Sequence, residues 1–364
     1  MRARARTAAA FAALACVVAA CSSGNGSSPP TPSESASASA SDGPLAISLI
    51  TKNASNPFFV AMQESAQAEA DSLGVKLSLA AGTKDGDEKT QIQAIDYAIS
   101  QGDRGILITP NGPGVNSAIE KARAAGLFVI ALDTPPDPPD TVEMTFATDN
   151  FRAGQLIGEW TAGRLQGRKA TIAMLDVFYD KVVSVDVARD TGFLTGMGIE
   201  VPDKRKTGSE APKGKYSGGQ YVVVCHEPTE GTREGGRTAM GICLNKNPEI
   251  NVVYAINEPA ADGAYAELKA AGKESGVLIA SVDGGCRGVQ AVRDGALGAT
   301  AQQYPGKMAR LGVEAIYNLA TTGRQPSTSP GLDFYDTGVQ LVTDTPVPGV
   351  ESIGTEQAAT SCWG

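Results

Sequence analysis

The sequence predicts an α/β protein built as two doubly wound lobes of parallel sheet. Short β-rich runs alternate with segments of helical period from residue 45 onward. The strand runs, such as Gly105-Ile106-Leu107-Ile108-Thr109, are apolar on both faces, as strands buried between two helical layers must be. About ten such strand–helix units are more than one sheet of usual size holds, and a chain of 364 residues is comfortable as two domains.

The elements follow in order. Residues 45–50 read as a strand, and 57–73 as an amphipathic helix with Pro57 in its first turn, where a missing N–H costs nothing. A strand over 75–79 precedes a helix over 87–100. A strand over 105–109 precedes a helix over 115–125, and a strand over 128–132 follows. The rhythm continues with helix 153–165, strand 171–175, helix 187–197, strand 221–224 and helix 232–244. It closes with strand 252–256, helix 260–271, strand 277–282, helix 289–293, strand 298–302 and helix 308–320. Alternation of this kind implies parallel strands joined by right-handed crossovers. The Gly/Lys-rich stretch 202–219 reads as a loop.

The N-terminus carries Arg2, Arg4 and Arg6, then an apolar run over 8–20 that ends Val18-Ala19-Ala20-Cys21. The run is too short to span a bilayer and reads as a signal peptide over residues 1–20. Its last residues resemble the bacterial lipobox, which implies diacylation of Cys21. The plainer alternative is a secretory signal with an incidental cysteine. Several acyl chains on one residue anchor a protein stably where one does not. The remainder of 21–43 is almost all Ser, Gly, Pro, Ala and Asn, a composition that cannot offset its ordering entropy by burial, and it reads as a flexible tether.

Four further cysteines, Cys225, Cys243, Cys286 and Cys362, form an even set for an oxidising compartment. Three pairings are open. Cys225–Cys243, flanking one strand–helix unit, and Cys286–Cys362, pinning the C-terminal tail, are favoured. His226 is the only histidine, and no Cys/His cluster has metal-ligand spacing, so neither metal nor cofactor is expected. A net charge of -9 with both signs intermixed argues against nucleic acid.

Ligands of open α/β sheets bind beyond the carboxyl ends of the strands. The residues there are Thr51, Lys52, Asn53 and Asn56, then Thr109 and Asn111, Asp133 and Thr134, Asp176, Asn257 and Glu258, Asp283, and Gln303. Nearly all can hydrogen-bond hydroxyl groups. Any one of them is equally well a turn former or helix cap. The set Asp133, Asn257, Asp283 and Gln303, drawn from both halves, points to a shared polyol site. Phe58 and Phe59 open the first helix, and at least one is expected to offer a ring face to a ligand's apolar C–H groups. Phosphate loops and Gly-x-Ser-x-Gly elbows are absent, and a single histidine excludes most triads.

Asn56-Pro57-Phe58-Phe59, Val129-Ile130-Ala131-Leu132-Asp133, Ala147-Thr148-Asp149-Asn150, Arg189-Asp190-Thr191-Gly192-Phe193, Asn257-Glu258, Val282-Asp283-Gly284 and Gln303-Tyr304-Pro305 occur in that order. Together they resemble the type I periplasmic binding protein family, in its ribose-binding group. Longer phrases, among them LITKNASNPFF, FATDNFRAGQLIGEW and the terminal CWG, look like the fructose-binding proteins of bacterial fructose importers. The resemblance implies two lobes joined by three crossovers, near Thr148, Gln303 and Asp336. The first would take 44–148 plus 304–336, the second 149–303 plus 337–364. It implies sugar contacts from Lys52, Asn56, Phe58, Phe59 and Asp133 on one side and from Arg189, Asn257, Asp283 and Gln303 on the other. Thr134 and Thr109 depart from the ribose pattern and favour another monosaccharide, fructose first.

The expected protein is therefore not an enzyme. It is a monomeric solute-binding lipoprotein on the outer face of the cytoplasmic membrane, closing by a hinge over its sugar and delivering it to the permease of an ABC importer. A binder of another pentose, an inositol or a sugar-like signal feeding a sensor is the alternative. A related repressor would need an N-terminal helix-turn-helix, and a glycosidase two carboxylates across an open groove.

Overall fold

The structure, a computed structural model, describes residues 44–364; the signal, Cys21 and tether readings lie outside the described residues. The chain begins β1 (Ala46–Thr51), α1 (Pro57–Leu73), β2 (Lys76–Ala81), α2 (Glu88–Gln101), β3 (Gly105–Ile108), α3 (Asn116–Ala124), β4 (Phe128–Leu132) and β5 (Met144–Ala147). It continues with α4 (Asn150–Leu165), β6 (Ala170–Asp176), α5 (Ser184–Gly196), β7 (Lys213–Tyr216), β8 (Gly219–Pro228), α6 (Arg233–Lys246), β9 (Val252–Ala255) and α7 (Glu258–Ala270). Then come β10 (Leu278–Asp283), α8 (Cys286–Arg293), β11 (Ala299–Gln302), α9 (Pro305–Thr322), β12 (Tyr335–Asp336), β13 (Gln340–Val342) and α10 (Thr355–Ala358).

Two sheets result. The first has the order β12-β5-β4-β3-β1-β2, the second β13-β11-β10-β9-β6-β8-β7. All pairs of the first are parallel. The second is parallel inside, but its two edges, β13 and β7, pair antiparallel. The chain passes between sheets after β5, after β11 and after β12. These three connections are laced together, the second to the third by Tyr304 O–H donating to Gln340 Oε1 at 2.6 Å and the first to the third by bonds to backbone groups. Thr337 N–H donates to the Ala147 carbonyl at 2.8 Å, and Asp336 accepts from Asp149 N–H at 3.1 Å and from Gly338 N–H at 2.8 Å.

The two-lobe parallel architecture matches the sequence expectation; several elements correct it. The purely parallel reading missed both antiparallel edges. β5, β12, β13 and α10 were not foreseen, being four residues long or fewer. Residues 213–216, placed in a loop, form β7, half of a hairpin with β8 that covers the exposed edge of the sheet. Helices α4, α5, α8 and α9 each start three residues earlier than their periodicity suggests. For α4 the reason is a cap: Asp149 accepts from Arg152 N–H and so fixes the start at Asn150.

Each sheet is buried on both faces. Along β3, Leu107 joins one core with Met62, Leu132 and Ile316, while Ile106 and Ile108 join the opposite core with Ile95 and Ile119. In the second lobe α4 and α5 meet backbone to backbone. A Cβ on Gly154 would overlap the Arg189 carbonyl, and one on Gly192 the Phe151 carbonyl. This contact seats α5, which carries Arg189, directly against α4. Disulfides join Cys225 to Cys243 and Cys286 to Cys362, across 18 and 76 residues. Loops of such lengths contribute roughly 3 and 4.5 kcal/mol through the unfolded chain.

Candidate functional site

The carboxyl ends of both sheets face one cleft, and the lobes touch across it. Lys181 donates to the Gly86 carbonyl at 2.8 Å, Ser184 to the Pro135 carbonyl at 2.6 Å, and Lys84 pairs with Glu230 at 3.0 Å. The structure is thus a closed form.

From the first lobe, Lys52 follows β1 and Asp133 follows β4, both buried, with Nζ and Oδ2 3.6 Å apart. From the second, Asp283 ends β10, buried, with Arg189 of α5 at 4.0 Å and Gln303 Nε2 donating to it at 3.2 Å. Gln303 Oε1 is buried without a hydrogen-bond partner. The Arg189 guanidinium is held in place by Asn150 Oδ1 at 2.7 Å and the Ile256 carbonyl at 2.9 Å. The Asp133 carboxylate lies close enough to Asp283 to push its pKa upward.

Both aspartates have positive φ, 65° for Asp133 and 148° for Asp283. Aspartate tolerates the first, left-handed conformation better than most residues, whereas the second persists only where the surroundings enforce it, as binding sites often do. Burial raises the pKa of Asp283, against the pull of Arg189. Burial and the neighbouring Asp283 carboxylate likewise raise that of Glu258, which accepts from Gly284, Gly285 and Thr300 and so braces the β10 tip. Asp85, bonded to Asn53, is also raised by burial despite Lys52.

The other candidates have divided roles. Asn56 and Asn257 are helix caps, accepting from Phe58 N–H and from Ala260 N–H, and Asn257 also donates to the Gly231 carbonyl. Asn111 is consumed by backbone groups of Lys52, Lys84 and Asp87. Phe58 and Phe59 stand edge to face, 5.3 Å between centroids, both within the first lobe's core. A cavity of about 410 Å³, reached by Asp283 but not by Lys52, Asp133, Arg189 or Gln303, is lined by Asn53, Asn56, Asp85, Glu258, Asp283 and Trp363, among others. Neither phenylalanine lines it; the aromatic residues that do are Tyr265 and Trp363, and sequence reasoning selected neither as a site residue. The sole signal for Trp363 was the terminal CWG phrase.

Asp176, though at a strand tip, is engaged elsewhere. The His226 ring bonds to Asp176 at 2.7 Å through Nδ1 and to Glu210 at 2.8 Å through Nε2. Asp190 lies beside them, its ligand-type atoms within 4.8 Å of theirs. With both ring nitrogens donating to carboxylates, the imidazolium itself supplies the cation here. Burial alone would lower the His226 pKa, but the bonds to Asp176 and Glu210 outweigh it and raise it to about 11. A histidine raised this way adds stability fully below its unfolded value near 6.5, lost as pH climbs through about 11. His226→Gln should therefore cost about 3 kcal/mol at pH 7, the size expected for breaking a buried charge pair, with the gap narrowing as pH approaches 11. Urea unfolding at both pH values reads this; a constant gap would show that charge is not the cause.

Among the described residues no helix is long and apolar enough to cross a membrane. The model of the periplasmic binding protein domain family matches residues 47–325. The ribose import binding protein RbsB of Escherichia coli is 29% identical over 269 residues, covering 74% of this chain and 82% of that protein. The D-allose-binding periplasmic protein of the same organism is 25% identical over 285 residues, covering 76% and 85%. Among solved structures, a galactofuranose binding protein superposes with a TM-score of 0.71 at 22% identity, covering 87% of this chain and 98% of that one. An ABC transporter solute binding protein from Agrobacterium vitis with bound D-fucose gives 0.72 at 21%, covering 87% and 100%. Two parallel-sheet lobes with a polar cleft, and a family match over most of the chain, lead to one conclusion: the chain belongs to the periplasmic binding protein domain family.

Proposed function

We propose that this chain is the solute-binding component of an ABC importer and captures a monosaccharide in the interlobe cleft. One observation carries the reading. Two buried aspartates with positive φ, each beside a cation, converge from separate lobes on one cleft. A carboxylate can accept from two neighbouring sugar hydroxyls while the flanking Lys52 and Arg189 donate to others. A sugar so held is bonded by both lobes only when they close, and this difference in affinity is what shifts the open–closed balance. The curated relatives named above, binders of ribose and allose, support the sugar class.

Fructose is our first choice of sugar, on the phrase-level resemblance and on Thr109 and Thr134. Lys52, Asp133, Arg189, Asp283 and Gln303 are the contacts we assign, with Asn56 and Asn257 shaping the walls and Phe58 and Phe59 backing them from the first lobe's core. The chain would act as a monomer, held to the outer face of the cytoplasmic membrane by acylated Cys21, and would present its closed form to the permease. Titration of residues 44–364 with fructose, ribose, allose, arabinose and myo-inositol, followed by calorimetry and thermal shift, tests this. One sugar should raise the melting temperature in a concentration-dependent way. A flat response to the whole panel would falsify the sugar reading.

A further inference from the structure

The last residues of the chain belong to the second lobe and touch the first. Cys362 is bonded to Cys286 at the start of α8, and Cys286 N–H donates to the Trp363 carbonyl at 2.9 Å. From this double mooring the indole reaches across the cleft. It stands edge-on to Phe58 of α1, with centroids 5.2 Å apart, and packs on the core cluster that holds Phe58, Phe59 and Met62. Its Nε1–H donates to the carbonyl of Gln303 at 2.9 Å, on the connection between lobes. Its other edge lies against Gly285, where a side chain would meet the ring. The same ring lines the cavity together with Asp283, Glu258 and Asn56.

We infer that Trp363 is a specificity- and closure-determining residue: a wall of the ligand cleft, carried on the second lobe by the Cys286–Cys362 disulfide and docked on Phe58 of the first when the lobes close. This rests on the solute-binding reading. A contact made in the closed form and broken in the open one adds to the closed population, and hence to apparent affinity. An indole lining the same cavity as Asp283 also offers that cavity an apolar surface for sugar C–H groups, which neither buried phenylalanine supplies. The disulfide is what makes so short a tail precise: without it, ordering the last residues would consume much of the contact's free energy.

Trp160 and Trp363 are the two tryptophans, and Trp160 is fully buried in the second lobe's core. Acrylamide quenching of the unmodified protein therefore reads Trp363. Fructose, or whichever panel sugar binds, should protect it. Trp363→Ala should weaken that sugar roughly tenfold by calorimetry, with Trp363→Phe recovering part of the loss. The Cys286→Ser/Cys362→Ser pair should weaken it similarly while circular dichroism shows the fold retained. Small-angle scattering without any sugar reads the same contact: Trp363→Ala should enlarge the radius of gyration. Wild-type affinity in Trp363→Ala with unchanged quenching and scattering overturns the inference and leaves the sugar reading intact. Failure of the wild type to bind any panel sugar overturns the sugar reading instead, and scattering then decides whether the Trp363–Phe58 contact holds the lobes together.

Discussion

Replacing Asp283 with asparagine should weaken sugar binding about a hundredfold while leaving the fold in place. Asparagine keeps the shape and one acceptor oxygen but removes the charge. Hydrogen bonds to a charged acceptor are roughly twice as strong as neutral ones, and removing one partner of a buried charge pair costs about 2–5 kcal/mol. Arg189, 4.0 Å away and itself buried, would face the sugar with no anion beside it. About 3 kcal/mol corresponds to the hundredfold loss. Asp133→Asn should act alike from the other lobe, since it leaves Lys52 unpaired. Calorimetry gives the affinity and a thermal melt the integrity of each variant. Affinity within threefold of wild type in both would show that the strand-tip carboxylates are not the hydroxyl acceptors.

The largest stability effect is expected at a residue with no side chain. Gly192→Val places a branched group where the Phe151 carbonyl already sits, so α4 and α5 would have to part. Overpacking against backbone has no flexible side chain to absorb it, and a cost of about 4 kcal/mol or failure to fold is expected. Gly241→Ala in α6 is the matched control. Its added methyl would meet only Glu267, at 3.6 Å, and a glycine-to-alanine change inside a helix gains about 0.5–1 kcal/mol. Expression and melting temperature separate the two. A Gly192→Val protein as stable as wild type would refute the backbone-contact account. Partial folding should still show as lost ligand affinity, because α5 carries Arg189 three residues before Gly192.

How much could be read beforehand depended on whether the cause was local. Strands such as β3 and β4 were legible because burial on both faces forces apolar runs on them, and helix α1 because its apolar period starts at Pro57, which suits a first turn. β12, with two residues, carries no periodicity; it exists because β5 offers it an edge. Asp133 and Asp283 could be placed at strand tips, but their positive φ follows from the turns they close, and residue type signals it only weakly, through the tolerance of aspartate for the left-handed region. Asn56 and Asn257 illustrate the competing explanation: the same side chain that suits a hydroxyl also caps a helix, and here the caps are made. His226 was read as a solitary residue since its partners lie 16 and 50 positions away. Trp363 was missed for the same reason in stronger form. Its place at the cleft depends on a disulfide to Cys286, 76 residues from Cys362.

The lacing of the three interlobe connections has a consequence for what an outside protein can perceive. Thr337 and Asp336 bond to Ala147 and Asp149, and Tyr304 to Gln340, so that no segment can slide or twist without breaking its bonds to another. Bending is the soft direction left. On the solute-binding reading, occupancy, whatever the cargo, would then be broadcast as the same change of outline, much as a door reports only ajar or shut. Residues lining the interior can drift toward new cargoes over generations without the receiving machinery having to learn a new silhouette.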